Sequence, residues 1–256
     1  MNDLNKFEIL ECLHGKNLEL EDIVVFQSID STNNFLLKEF KGETRTKVCL
    51  AEYQTEGRGQ YGRQWISPSH RNILASLRFT IPKNHSLNGL SIIMGLAVLN
   101  TLKDLGINSL RIKWPNDVYV EDGKIAGILV ENRVVLDSRI IVVGIGLNWR
   151  MEVSVMTQKI ADISGIIGNK VSRNCIVGRL LFHSIQLFED WKTIGFLPYL
   201  NAWQEIDYLY DKHVKVSMGN EEFVALGVGI DSDGALLVKY QGEIKRIFSA
   251  QVSVLE

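Results

Sequence analysis

The hydrophobic and polar positions alternate between short strand-like runs and a few longer helical stretches. Asp22-Ile23-Val24-Val25-Phe26 and Val48–Tyr53 read as strands, and Asn72–Thr80 alternates with the period of two of a half-buried one. Leu90–Leu99 is bounded by Asn88 and Asn100 and predicts a buried helix running to about Leu105 and stopping at Gly106. It is too short for the roughly 20 residues that cross a bilayer. Leu110–Val120 predicts a strand broken near Asn116, because Pro115 removes a ladder donor. Glu121-Asp122-Gly123 supplies a hairpin turn into the run Lys124–Glu131, and Arg139–Asn148 predicts a buried strand. Helices are expected at Gln158–Ile167, at Arg173–Thr193 behind a Ser172 cap, and at Leu197–Ile206. From about Tyr210 the pattern changes to four short strands, His213–Met218, Glu222–Ile230, Ala235–Tyr240 and Glu243–Phe248. Turns at Gly219-Asn220, Asp233-Gly234 and Gln241-Gly242 separate them.

Composition narrows this picture in three ways. A chain of 256 residues can bury a substantial core in one or two domains. Its net charge of -2 supplies no basic field, so nucleic-acid binding is not expected. Cys12, Cys49 and Cys175 lie far apart with no paired spacing, which fits a reduced, cytoplasmic setting. The five histidines have no metal-ligand spacing, and the opening up to about Glu21 carries no targeting signal and leaves no room for a helix-turn-helix domain. Asp231-x-Asp233-Gly234 echoes a calcium loop, but the later ligands are missing and a hairpin turn is expected.

The chemistry gathers around Gln54-Thr55-Glu56-Gly57-Arg58-Gly59-Gln60-Tyr61-Gly62-Arg63-Gln64-Trp65. Its glycines allow sharp turning and close approach to a ligand, and Arg58 and Arg63 carry forks suited to phosphate or carboxylate. Gly57-x-Gly59-x-x-Gly62 also fits the dinucleotide fingerprint, which requires a helix directly after the loop. Here Pro68 and a strand follow, so the context is wrong and an anion clamp is the better reading. Ser31, Thr32 and Asn33 lie in a run of good helix caps whose hydroxyls also suit a neutral polar ring. Lys113, Asn116, Asp117 and Lys124 read equally as solvated strand ends, and the glycines of Gly144-Ile145-Gly146-Leu147-Asn148 mark a close approach by ligand or backbone.

The clamp, the Asp-Ser-Thr-Asn run at 30–33, Lys113-Trp114-Pro115-Asn116-Asp117 and the Gly-Lys-x-Ala-Gly-Ile-Leu-Val-Glu pattern at 123–131 resemble the biotin protein ligase family, in order and spacing, from Val24 to the C-terminus. The resemblance implies an α+β fold: a mixed-sheet, class II synthetase-like catalytic domain over 1–209 and a small SH3-like β-barrel over 210–256. It implies contacts to biotin from Ser31, Thr32, Asn33, Gln54, Gly57, Arg58, Gly59, Gln60 and Lys124. Nucleotide contacts are implied for Arg58, Gln60, Arg63, Trp65, Lys113, Asn116 and Asn148.

The implied reaction has two steps. Biotin attacks the α-phosphate of ATP with Mg²⁺ present, giving biotinyl-5′-adenylate. A lysine of a biotin carboxyl carrier protein, such as that of acetyl-CoA carboxylase, then takes the acyl group. Arg58, Lys113, Lys124 and Arg63 suit the first step by gathering positive charge. The second needs a neutral amine, and a lysine of pKa about 10.4 is neutral in only about one molecule in 2,500 at pH 7. Asp117 is the candidate carboxylate, as base, orienter or metal contact, and Asp117→Asn is expected to slow transfer more than adenylation. Two departures stand out. Gln60 replaces the family's usual arginine, so weaker retention of the adenylate is expected, and Leu255 replaces an arginine near the chain end of some relatives, which argues against nucleotide contacts from the tail. A biotin-responsive DNA-binding repressor, a lipoate-type ligase and an inactive biotin-binding module are the alternatives. Monomer or homodimer is open.

Overall fold

The computed structural model describes residues 3–255 except 17, 41, 152–158 and 169. A seven-stranded mixed sheet organises the larger part, built from β1 (Leu20–Phe26), β2 (Thr46–Ala51), β3 (Asn72–Pro82), β4 (Leu110–Lys113), β5 (Asp117–Val120), β6 (Gly123–Val135) and β7 (Ser138–Asn148). Their order is β1-β2-β3-β7-β6-β5-β4, with β1 and β2 parallel and the other pairs antiparallel. The sheet's two faces differ. One packs on α3 (Leu90–Asp104) and α5 (Arg173–Ile194), where Phe79 of β3 stacks on Phe188 of α5 at 3.7 Å. The other carries α2 (Thr32–Lys38), whose Leu36 is buried against Cys49 and Val142. That second face is polar further along, and there the site lies.

A second sheet of β8 (His213–Met218), β9 (Glu221–Ile230), β10 (Leu236–Tyr240), β11 (Glu243–Ile247) and β12 (Gln251–Val254) is wholly antiparallel, in the order β11-β10-β9-β8-β12, the SH3-like element expected at the C-terminus. The last strand is an addition to the four expected. The Asp231–Asp233 turn is a structural staple, since Arg246 bonds both carboxylates at 2.5 and 2.6 Å. The sheets are joined by Trp114 Nε1, which donates to Gly234 O at 2.9 Å, and by Asp207. The Asp207 carboxylate accepts from Trp203 Nε1 and Leu209 N, both at 2.8 Å, and burial pushes its pKa up.

Two expectations are corrected. Gln158 lies outside the described residues, and 159–162 is extended rather than helical. Lys124 N donates to Lys159 O and Ala161 N to Lys124 O, so pairing with β6 overrides local preference, and α4 (Ile163–Ile167) starts only at the Asp162 cap. Second, α1 (Lys6–Cys12), capped by Asn5, packs on α5 and joins Cys12 to Cys175 in a disulfide, where three reduced thiols were expected. Cys49 stays free and buried, its thiol pushed up to about 12 by burial. Among the described residues no helix is long and apolar enough to cross a membrane.

Candidate active site

A cavity of about 350 Å³ opens on the α2 face, over the middle of the sheet. Its floor depends on glycines in register: Gly127 pairs with Gly146, and Gly144 lies between Ser76 and Leu129. A Cβ on Gly146 would sit 2.4 Å from Trp65 Cε2, one on Gly127 2.9 Å from Trp65 Cζ3, and one on Gly144 2.5 Å from Asn33 Oδ1. The close approach expected at these glycines is therefore made by the chain's own Trp65 and Asn33.

Around Asn33 the lining is a neutral polar network. Thr32 donates from its N and Oγ1 to Gln54 Oε1 at 2.8 and 2.9 Å. Ser76 Oγ lies 2.7 Å from Thr32 Oγ1 and 2.6 Å from Asn33 Oδ1, and Asn33 Nδ2 donates to Glu131 Oε2 at 2.7 Å. Ser31 caps α2 through its Oγ, leaving the cap and binding readings compatible. Ser76 and Glu131 were not singled out from the sequence, although a lone hydroxyl inside an apolar strand was a signal for Ser76.

Two residues further along β7 the lining turns cationic. Lys124 Nζ lies 2.8 Å from Asp117 Oδ1 and 5.3 Å from the Trp65 ring centroid. Lys113 faces Asp117 across the β4–β5 pair, and burial lowers its pKa while Asp117 partly opposes the shift. The turn between them holds a cis Trp114–Pro115 bond and is pinned to β6 by Asn116 Nδ2, which donates to Ile128 O at 2.8 Å. Asn148 Nδ2 donates to Lys124 O and Ala161 O at 3.1 and 3.2 Å. Both amides line the cavity, yet the Nδ2 of each is engaged by backbone carbonyls.

The clamp folds as a small hairpin. Trp65 N donates to Gly57 O and Gly59 N to Arg63 O, with a turn over Gln60–Gly62. Of the residues expected to contact biotin or nucleotide, only Gly57 does not line the cavity; a Cβ there would meet Trp65 O at 2.9 Å. Arg58 Nη2 donates to Asn34 Oδ1 at 2.6 Å and to Glu131 Oε1 at 3.1 Å. The tail forms one wall: Ala250, Gln251 and Val252 line the cavity, Arg63 Nη2 donates to Gln251 Oε1 at 2.5 Å, and Tyr61 Oη lies 3.1 Å from Ser249 Oγ. Gln251→Ala should free Arg63 and weaken binding of a polyphosphate anion about three- to ten-fold, as expected for losing one charge-assisted bond in a partly exposed site, and titration with tripolyphosphate checks it.

The chain matches the model of the biotin/lipoate A/B protein ligase family over residues 25–148 and that of the biotin protein ligase C-terminal domain over 210–255. It is 35% identical over 257 residues to the bifunctional ligase/repressor BirA of Escherichia coli, covering 98% of this chain and 78% of that protein. The chain belongs to the biotin protein ligase family. Another relative, the biotin–[acetyl-CoA-carboxylase] ligase of Paracoccus denitrificans, is 30% identical across 82% of this chain and 91% of its own. The Aquifex aeolicus biotin protein ligase, solved in complex with biotin and ATP, superposes with a TM-score of 0.77 at 25% identity, over 92% of this chain and 99% of that one. The family fold therefore places the clamp, the cis-proline turn and the Gly-x-Gly strand around one cavity.

Proposed function

We propose that this biotin protein ligase activates biotin with ATP and transfers the biotinyl group to one lysine of a carrier domain, such as that of acetyl-CoA carboxylase, in the cytoplasm. The observation that carries the reading is the cavity itself, in which a neutral hydrogen-bonding network adjoins a cluster of cations around Asp117, the single lining carboxylate among the described residues. The network of Ser31, Thr32, Asn33 and Gln54 suits a ureido ring, which needs donors and acceptors together. The reading is also supported by the Paracoccus denitrificans relative and the Aquifex aeolicus structure, both named for biotin ligation. Residues 1–209 are assigned to catalysis and 210–256 to a domain that closes the cavity.

In the first step an oxygen of the biotin carboxylate attacks the α-phosphorus and pyrophosphate leaves with the electron pair of the broken P–O bond. Two anions must meet, and Lys124, Lys113, Arg63 and Arg58 offset their repulsion in a half-buried site. Asp117 holds Lys124 in place. With one lining carboxylate among the described residues, the site fits a magnesium ion that arrives on the nucleotide phosphates. Such an ion would be anchored by Asp117 and would supply further charge neutralisation. Trp65, on its glycine bed, offers a flat apolar wall to the nucleotide.

The acyl phosphate formed is prone to hydrolysis, so the clamp must exclude water while it waits. Hydrogen exchange of residues 57–64 should slow when biotin and ATP are added together, and unchanged exchange there would count against closure. The activity itself is tested by incubating the protein with biotin, ATP, magnesium and a carrier domain. Biotin-dependent pyrophosphate release and a matching mass gain on the carrier are expected, and absence of both defeats the reading.

A further inference from the structure

Spacing along the chain offered no metal ligands, but the fold gathers Asp3, Glu52 and His70 from three separate segments. One ligand atom of each lies within 4.8 Å of the other two. Asp3 sits just ahead of α1, Glu52 directly follows β2, and His70 lies two residues before β3. None of the three lines the cavity, so what they do is separate from the ligase chemistry.

Glu52 is fully buried. Its Oε1 is in use, accepting from Leu4 N at 2.5 Å and from Arg173 Nη2. Its Oε2 is shut off from solvent and has no hydrogen-bond partner among the described residues. The same holds for His70 Nδ1, only 3.2 Å away. Asp3 Oδ1 lies 3.4 Å from that nitrogen. A protonated His70 would direct its Nδ1–H at one of these oxygens, but neither contact has hydrogen-bond geometry. Two carboxylates and an imidazole that crowd together without bonding to one another suit a shared cation instead.

We propose that Asp3, Glu52 and His70 bind one zinc ion, with water as its fourth ligand. Zinc takes imidazole nitrogen and carboxylate oxygen at about 2.0–2.2 Å, and a tetrahedron of that size sets its ligands about 3.3–3.6 Å apart. The two separations measured from His70 Nδ1 are close to that edge. The nitrogen ligand selects against magnesium and calcium, which take oxygen. Arg173 already offsets the charge of Glu52, so the site binds less tightly than three ligands free of a neighbouring cation would. The Asp3 side chain is 59% exposed and gives the ion its path from solvent. Once bound, the ion clips the segment ahead of α1 to the end of β2, and because only the folded chain assembles the ligands, binding adds to stability.

The test titrates zinc chloride into the full chain after treatment with a chelator, read by calorimetry and by melting. One site per chain is expected, with Tm rising about 5–10 °C when free zinc stands about 100-fold above Kd. Magnesium and calcium at the same concentration should leave Tm unmoved. His70→Ala and Asp3→Asn should each weaken zinc binding about ten-fold or more and remove most of the rise in Tm. Asp3→Asn changes an exposed side chain and leaves the Glu52–Arg173 pair in place, so it decides the matter should His70→Ala fold poorly. Unchanged zinc affinity in Asp3→Asn or in a folded His70→Ala puts the ion elsewhere on the surface. A wild-type Tm indifferent to zinc leaves the cluster as an ion pair. Either result overturns the proposal, and neither bears on biotin-dependent pyrophosphate release.

Discussion

Lys124→Ala should slow adenylate formation by about 10²–10³-fold, the loss typical of removing one preorganised group from developing charge. Lys124 stands at the start of β6, where its backbone is fixed on both sides by Lys159 and Ala161. Its ammonium reaches back over Trp65 to Asp117. Lys113 does not stand in for it, because its ammonium lies over the Tyr119 ring rather than over Trp65. The same change strands Asp117, whose side chain is 19% exposed, as a half-buried carboxylate without its cation, at a cost of about 1–3 kcal/mol. Stability and activity can be separated. The double variant Lys124→Met/Asp117→Asn should recover most of the lost stability in a denaturant melt and none of the pyrophosphate release. Recovery of both would show that Lys124 acts only by holding Asp117. Because Asp117 pairs with Lys124 at 2.8 Å, Asp117→Asn is expected to slow adenylation as well as transfer.

Much of this was legible in the sequence, because each strand of the large sheet is an apolar run closed by a glycine, a proline or a polar turn. The Gly-x-Gly of β7 announced a close approach, and only the identity of what approaches was hidden, since Trp65 lies about eighty residues upstream. What the sequence concealed depends on contacts between distant residues. Gln251-Val252-Ser253-Val254 is too short to declare itself a strand, and becomes one by pairing with β8. Cys12 and Cys175 are 163 residues apart and meet because α1 packs on α5. Glu131 ends the most recognisable stretch of the chain, yet its place between Asn33 and Arg58 follows only from the sheet order that sets β6 beside β7 and beneath α2.

Gly146→Ala should cost about 100-fold in kcat/KM for adenylate formation while the protein remains folded. The new methyl would lie 2.4, 2.5 and 2.8 Å from Trp65 Cε2, Cζ2 and Nε1, against the about 3.5–4.0 Å at which carbon atoms rest in contact. The floor cannot retreat, because Gly146 is paired to Leu74 on one side and to Gly127 on the other in the middle of the sheet. The ring must therefore lift by about 1 Å, into the cavity and towards Lys124, and displacements of that size cost about 10²-fold in a positioned site. Overpacking of this kind destabilises by about 1–3 kcal/mol, which a seven-stranded sheet with two helices behind it should survive. A double-variant cycle with Trp65→Ala identifies the route. If the methyl acts through the ring, adding Gly146→Ala to Trp65→Ala changes the rate little further, whereas losses that simply add would place the damage elsewhere on the sheet. Gly144→Ala meets Asn33 Oδ1 instead, at 2.5 Å, and so should raise the KM for biotin more than that for ATP.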